Sequence, residues 1–119
     1  MRILCVDDSV MFCGLLVRMM TEVFPDAIVD YALSGDAAME YLAKYKTDFV
    51  LTDVDMPFMD GFALERKVRQ QYPDIPVYFE TGNTVSYMKS MGIPEGKCVF
   101  KPFQVSDLRR LLSDWLIVR

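Results

Sequence analysis

The sequence of 119 residues contains no histidine, has a single tryptophan, and lacks both a long apolar stretch and a run of basic residues. No segment approaches the roughly 18 uninterrupted apolar residues that a membrane-spanning helix needs. Acidic residues at positions 7 and 8 interrupt the N-terminus before a secretory signal could form. We therefore expect a water-soluble protein that is neither inserted in a membrane nor exported.

The three cysteines and the charge distribution exclude further classes. Cys5, Cys13 and Cys98 are odd in number and widely spaced, so they indicate neither a disulfide framework nor a zinc site. Cys5 and Cys13 are expected in the core, and the reducing cytoplasm is the natural compartment. The net charge is -4 and the basic residues are scattered, which argues against direct nucleic-acid binding.

Apolar periodicity predicts five strands alternating with five helices in one domain, residues 1–119. The predicted strands are residues 2–6, 27–33, 48–52, 75–81 and 97–100. Ser9 and Ser34 are predicted to cap the first two helices, and residues 62–71 and 84–91 to form the next two. A last helix has its inner stripe at Leu108, Leu111, Leu112 and Trp115.

Strict alternation of strands and helices predicts a doubly wound α/β fold, in which helices cover both faces of a parallel sheet. A flavodoxin-like strand order of 2-1-3-4-5 would make the first and third strands neighbours. In such sheets, ligands bind beyond the carboxyl ends of the strands, where the strand order reverses. Candidate functional residues should therefore lie at the strand ends.

Polar side chains follow four of the predicted strands. Asp7 and Asp8 follow the first, Asp53 the third, Thr81 ends the fourth, and Lys101 follows the fifth. Neighbouring strands are about 4.8 Å apart, so the acidic groups of the first and third strands should crowd together. Two like charges about 4 Å apart repel by roughly 4 kcal/mol at an effective dielectric constant of 20. A bound divalent cation would relieve this repulsion.

The donor set favours Mg²⁺. All candidate ligands are oxygens, and the chain has no histidine. Mg²⁺ commonly completes its shell with a phosphate oxygen. Asp53 could then act as a nucleophile that forms an aspartyl phosphate, with Lys101 neutralising the phosphoryl oxygens and Thr81 donating a hydrogen bond to the attached group.

Four ordered segments together resemble a two-component response-regulator receiver domain, of the single-domain, chemotaxis-receiver-like kind, over essentially the full chain. They are VDDS at residues 6–9, LTDVDMPFMDG around Asp53, Thr81 with Gly82, and KPF at residues 101–103. Each segment alone would be a weak signal. Their joint order and spacing are specific.

The resemblance implies roles for individual residues. Asp53 would be phosphorylated, Asp8 would ligate Mg²⁺ directly, Asp7 would act largely through water, and Asp55 would offer its backbone carbonyl. It also implies a cis peptide bond before Pro102. The phosphodonor would be a histidine kinase or a phosphotransfer protein, with small acyl phosphates as further candidate donors. The domain would assist its own phosphorylation and dephosphorylation instead of acting as an enzyme on a separate substrate.

Two positions depart from the family pattern. Cys98 stands where the family usually has an aromatic residue three positions before the lysine, which puts an aromatic rotamer switch in doubt. Glu80 is unusual in a buried strand, and we expect it near solvent, because alternation turns it away from a pocket that Thr81 faces. No output domain follows Arg119, so a downstream protein target is expected, unless the chain is a fragment of a longer regulator.

Two other functions remain open. A receiver-like scaffold could bind partners without phosphorylation, as Cys98 suggests. LTDVD also resembles the D-x-D nucleophile motif of haloacid-dehalogenase-type phosphatases, although that motif follows the first strand in that family. The apolar run at residues 115–118 indicates either weak self-association, another partner, or a frayed and partly buried end.

Overall fold

The computed structural model describes residues 1–117, which form five strands, six α-helices and one short 3-10 helix. The strands are β1 (Arg2–Val6), β2 (Ile28–Ala32), β3 (Phe49–Asp53), β4 (Val77–Thr81) and β5 (Cys98–Phe100). The helices are α1 (Val10–Val23), α2 (Gly35–Lys44), α3 (Gly61–Gln71), α4 (Val85–Ser90), α5 (Val105–Leu111) and α6 (Ser113–Ile117), and the 3-10 helix is Glu95–Lys97. No helix in this range is both long and apolar enough to cross a membrane.

The strands form one parallel sheet in the order β2-β1-β3-β4-β5, which confirms the predicted fold and order. All five predicted strands are present, with ends that lie within two residues of the predicted ones. The register pairs Cys5 with Leu51 and Asp53 with Glu80. The carboxyl ends of β1 and β3 therefore lie side by side.

Two apolar layers cover the sheet, because successive residues of a buried strand point to opposite faces. On one face, Ile3, Cys5 and other strand residues pack against α1, α5 and Trp115. On the other face, Leu4, Val6 and their neighbours pack against α2, α3 and α4. Cys5 and Cys13 are fully buried, as predicted.

The first four helices start at, or within one residue of, the predicted positions. The side chains of Ser9 and Ser34 accept hydrogen bonds from the backbone N–H groups of Phe12 and Ala37, which fixes the first turns of α1 and α2. Asp60 and Thr84 cap α3 and α4 in the same way.

The prediction of five helices was wrong at the C-terminal end, where two helices replace one. The chain leaves α5 at Leu112, and the N–H of Trp115 donates to the carbonyl of Leu112. This turn lets the Trp115 ring pack against Phe49, with ring centroids 5.0 Å apart, while its indole N–H donates to the Tyr78 hydroxyl at 2.9 Å. Part of the predicted apolar run, residue 118, lies outside the described residues.

Candidate functional site

The carboxyl ends of the strands bring three of the predicted site residues together. Asp7 follows β1, Asp53 ends β3 and Lys101 follows β5. The Lys101 Nζ atom lies 3.6 Å from Asp53 Oδ1 and 3.8 Å from Asp7 Oδ2. Two carboxylates from separate strands therefore share one ammonium group.

Asp53 is nearly buried at the end of β3. Its Oδ1 atom accepts a hydrogen bond from the backbone N–H of Val54 at 2.8 Å. Burial raises the pKa of the Asp53 carboxyl, the Lys101 ammonium opposes this shift, and the negative charge of Asp7 adds to it. The carboxylate is thus poorly solvated but lies close to a positive charge.

Asp7 and Asp8 occupy different environments although they are adjacent in the chain. Asp7 is buried, and its Oδ1 atom accepts from the backbone N–H of Ser9 at 2.9 Å. Its Oδ2 atom is also buried but accepts no hydrogen bond within the described structure. Asp8 is exposed and stands outside the buried carboxylate cluster. Its carboxylate is therefore open to solvent at the edge of the pocket.

Thr81 is fully buried at the end of β4, and the following loop ties it to the loop after β3. The Thr81 hydroxyl oxygen accepts from the backbone N–H of Asn83 at 2.9 Å and from Asn83 Nδ2 at 3.0 Å. The same amide donates to Asp55 Oδ2 at 3.1 Å. Asn83 therefore links the two loops that flank Asp53.

Glu80 contradicts the expectation that it lies near solvent. Its side chain is fully buried, and Oε1 lies 3.0 Å from Lys101 Nζ. Carboxylate oxygens of Asp7, Asp53 and Glu80 all lie within 4.8 Å of one another. The buried acidic cluster thus consists of Asp7, Asp53 and Glu80. The sequence analysis had named Asp8 with Asp7 and Asp53, and it missed Glu80 as a site residue.

The expectation for Glu80 was wrong because it placed the pocket on the face of the sheet to which Thr81 points. Glu80 pairs with Asp53 in the register, so the two side chains leave neighbouring strands on the same face of the sheet. Asp7 and Asp53 lie two residues beyond Cys5 and Leu51, which face α1 and α5. Glu80 belongs to that face, and a lone carboxylate inside an apolar strand was the signal that a buried cation is nearby.

The close packing of acidic groups changes their proton affinities. Burial, and after it the neighbouring carboxyl groups of Asp7 and Asp53, together raise the pKa of Glu80 to about 10, against the opposing effect of Lys101. Burial lowers the pKa of Lys101, but Glu80, Asp53 and Asp7 outweigh this, so its pKa is raised overall. Lys101 therefore keeps its positive charge.

The backbone and an aromatic ring hold Lys101 in place. The Lys101–Pro102 peptide bond is cis, as the family resemblance implies. The Nζ atom lies 4.5 Å from the centre of the Phe12 ring, a distance that allows a cation–π contact. Phe12 in turn meets Phe103 edge to face, with ring centroids 6.1 Å apart. The ammonium therefore contacts both carboxylates and an aromatic ring, while a third of the Lys101 side chain is exposed.

The residues present fit a hard divalent cation. The cluster offers only oxygen donors, Asp7 Oδ2 is a buried acceptor without a hydrogen bond in the described range, and Asp8 adds an exposed carboxylate next to it. This donor set suits Mg²⁺. The Lys101 ammonium already contacts Asp7, Asp53 and Glu80, and Asp8 is the neighbouring acidic residue outside these contacts.

Two further features flank the site. Cys98 is buried, and its thiol donates to the carbonyl of Pro94 at 3.6 Å, so it fills a structural position in β5. Phe58, in the loop after β3, is fully exposed and has a φ of 69°, which bulky residues rarely adopt. The sequence analysis did not consider this residue.

Comparisons with known sequences agree with this geometry. The sequence model of the response regulator receiver domain matches residues 3–113. The sensor protein EvgS of Escherichia coli K12 is 37% identical over 87 residues, which cover 71% of this chain and 7% of EvgS. The transcriptional regulatory protein DltR of Streptococcus agalactiae is 28% identical over 110 residues, which cover 91% of this chain and 48% of DltR. The chain spans less than half of either relative.

Solved structures show the same fold. The chemotaxis protein CheY4 of Vibrio cholerae superposes with a TM-score of 0.81 at 27% identity, over 95% of this chain and 96% of CheY4. The response regulator TrrA of Thermotoga maritima, solved in complex with Mg²⁺-BeF, has a TM-score of 0.81 at 24% identity, with the same coverage of 95% and 96%.

Proposed function

Because this chain belongs to the response regulator receiver domains of two-component systems, we propose that it accepts a phosphoryl group on Asp53 in a Mg²⁺-dependent reaction. The observation that carries the proposal is the ammonium of Lys101 within 4 Å of both Asp53 and Asp7. A buried carboxylate beside a fixed positive charge is suited to a reaction that places more negative charge at the same point.

The proposed step is an in-line displacement at phosphorus. An Asp53 carboxylate oxygen forms a bond to phosphorus, and the bond between phosphorus and the donor nitrogen or oxygen breaks, so the electron pair leaves with the donor. Lys101 neutralises charge on the phosphoryl oxygens. The Thr81 hydroxyl, which accepts two hydrogen bonds from Asn83, still has its own proton to donate to the product.

Asp7, Asp8 and Asp53, with the backbone carbonyl of Asp55, are the proposed Mg²⁺ ligands. When bound, Mg²⁺ supplies positive charge that offsets the repulsion between the carboxylates and the incoming phosphoryl oxygens. The buried Asp7 Oδ2 atom, which accepts no hydrogen bond within residues 1–117, supports this role. The exposed position of Asp8 gives an ion access from solvent.

The experiment is intact-mass analysis after treatment with acetyl phosphate or phosphoramidate. We expect one phosphoryl adduct on the wild type in Mg²⁺ and none when a chelator is present. Asp53→Asn should give no adduct. Asp26→Asn is a matched control, because Asp26 is an exposed carboxylate in the loop between α1 and β2, at the opposite end of the strands. An adduct that persists in Asp53→Asn would refute the proposal.

The partners follow from the chemistry. We propose a histidine kinase or a phosphotransfer protein as the phosphodonor and a protein as the downstream target. Phosphorylation would draw Thr81 towards the phosphoryl group and move the loop after β4, although Cys98 supplies no aromatic switch. Amide shifts of α4, β5 and α5 with and without a phosphoryl mimic test this, and an unmoved surface would contradict it.

Membership of the receiver family leaves the D-x-D phosphatase interpretation without support. The scaffold interpretation is tested by the same reagents. Equal affinity of a partner for the wild type and for Asp53→Ala, with and without a phosphodonor, would favour it.

A further inference from the structure

The closest polar contact of the Lys101 ammonium is with Glu80 and not with the acceptor. Nζ lies 3.0 Å from Glu80 Oε1, compared with 3.6 Å from Asp53 Oδ1 and 3.8 Å from Asp7 Oδ2. The Glu80 side chain is fully buried, whereas a third of the Lys101 side chain is exposed. Before phosphorylation the ammonium is thus drawn towards the interior of the sheet.

Glu80 depends on this contact. Both of its carboxyl oxygens are buried, and neither has an aligned hydrogen bond to any residue between 1 and 117. Within that range, Lys101 is the one cation recorded within 4 Å of Glu80. If the ammonium moves away, Glu80 stays buried and loses its closest cationic contact, which is unfavourable.

A phosphoryl group on Asp53 needs the same ammonium. The phosphoryl oxygens would be attached at the Asp53 carboxylate, whereas the shortest contact of Nζ is with Glu80 Oε1 on the neighbouring strand. A closer contact with the phosphoryl group therefore requires the ammonium to shift away from Glu80. The interaction with Glu80 and the interaction with the phosphoryl group therefore compete.

We propose that Glu80 is a positioning residue that holds the Lys101 ammonium on the sheet side of the pocket and thereby weakens the binding of a phosphoryl group at Asp53. This inference rests on the proposed function. It assigns to this chain a built-in preference for the unphosphorylated state.

The test measures binding of beryllium fluoride, a phosphoryl mimic, in saturating Mg²⁺ by calorimetric titration or by the amide shift of Gly82. Glu80→Leu removes the carboxyl group in both its protonated and its ionised form, and we expect about two- to tenfold tighter binding, the size of effect that the loss of one close polar contact produces. Glu80→Gln keeps an oxygen acceptor at the same place, so its affinity should lie closer to that of the wild type.

The same substitution in a Lys101→Met variant separates a positioning role of Glu80 from a general effect of the substitution on the fold. In Lys101→Met, the change Glu80→Leu should leave beryllium fluoride affinity unaltered, because no ammonium remains to be released. Tyr78→Phe is the matched control, because Tyr78 lies on the same face of β4 but contacts Trp115 and not Lys101. It should bind like the wild type.

The outcomes are distinct. Wild-type affinity or weaker binding in folded Glu80→Leu, or equal tightening in the Lys101→Met background, overturns the role of Glu80 and leaves the proposed function intact. A wild type that neither binds the mimic nor accepts a phosphoryl group overturns both. If Glu80→Leu does not give a cooperative thermal transition, Glu80→Val carries the same comparison, because a β-branched residue suits a buried strand.

Discussion

At the scale of single residues, the pocket combines groups that would not stay charged together in a dry interior. Asp7, Asp53 and Glu80 face one ammonium, so the charges do not balance without a proton or a metal ion. Burial and the neighbouring carboxyl groups raise the pKa of Glu80 to about 10, which keeps a proton in the cluster at neutral pH.

Because the Glu80 carboxyl group keeps its proton at neutral pH in the folded state, we predict an unusual pH dependence of stability in the metal-free protein. The folded state holds the Glu80 proton up to a pH of about 10, whereas the unfolded chain releases it near its ordinary value of 4.5. The native state therefore binds more protons between these values, and stability falls as pH rises. We expect the free energy of unfolding to decrease by about 1–3 kcal/mol from pH 6 to pH 8.

Chemical denaturation with a chelator present, at a series of pH values, measures how the free energy of unfolding changes with pH. Glu80→Leu should flatten it, while Asp26→Asn should not. Cys13, Asp7, Asp53 and Lys101 also face the group, and Asp53 and Cys13 have raised pKa values that act in the same direction. Stability that rises with pH in this interval would contradict the assigned proton.

At the scale of secondary-structure elements, the junction between β3 and α3 controls the position of the acceptor. The backbone N–H of Gly61 donates to the Val54 carbonyl at 2.8 Å, which brings the start of α3 against the end of β3. A methyl group at Gly61 would collide with the Asp53 carbonyl oxygen. Only glycine fits this approach.

Gly61→Ala should therefore lower stability and slow phosphorylation. The collision is with backbone atoms, so the loop must move, at an expected loss of about 1–3 kcal/mol. Thermal unfolding measures the stability, and the rate of adduct formation with acetyl phosphate measures the effect on Asp53. An unchanged rate would show that the acceptor does not depend on this junction.

Gly14→Ala, in α1, should raise the stability that Gly61→Ala lowers. Gly14 is exposed in the middle of the helix, and an added methyl group would meet no atom within 4 Å. Replacing a helical glycine by alanine stabilises by about 0.5–1 kcal/mol, because alanine has less backbone freedom to lose. The melting temperature should rise while the phosphorylation rate stays the same, and a fall in melting temperature would refute this.

At the scale of the whole molecule, the acidic pocket opposes folding until a cation binds. Ligand binding to the native state alone stabilises by about 2.7 kcal/mol at a concentration 100 times the dissociation constant. We therefore expect Mg²⁺ to raise the melting temperature relative to a chelator at matched ionic strength. Asp8→Asn should reduce this rise and Asp26→Asn should retain it. A wild-type melting temperature that is the same in Mg²⁺ and in chelator would contradict the proposed metal site.

The sequence by itself determined the fold and most of the pocket. Alternating apolar runs and capping residues such as Ser9 and Ser34 are local signals, so five strands and the helix starts could be predicted without tertiary information. In a parallel sheet the carboxyl ends of strands share one edge, so Asp7, Asp53 and Lys101 had to lie near one another.

Tertiary structure alone decided the place of Glu80 and the break at Leu112. Register between β3 and β4 is set by packing across the sheet, and a shift of one residue would turn the side chain to the other face. The break in the last helix depends on where Trp115 meets Phe49 and Tyr78, which are distant in sequence. Both features follow from contacts between separate segments, and no local pattern encodes such contacts.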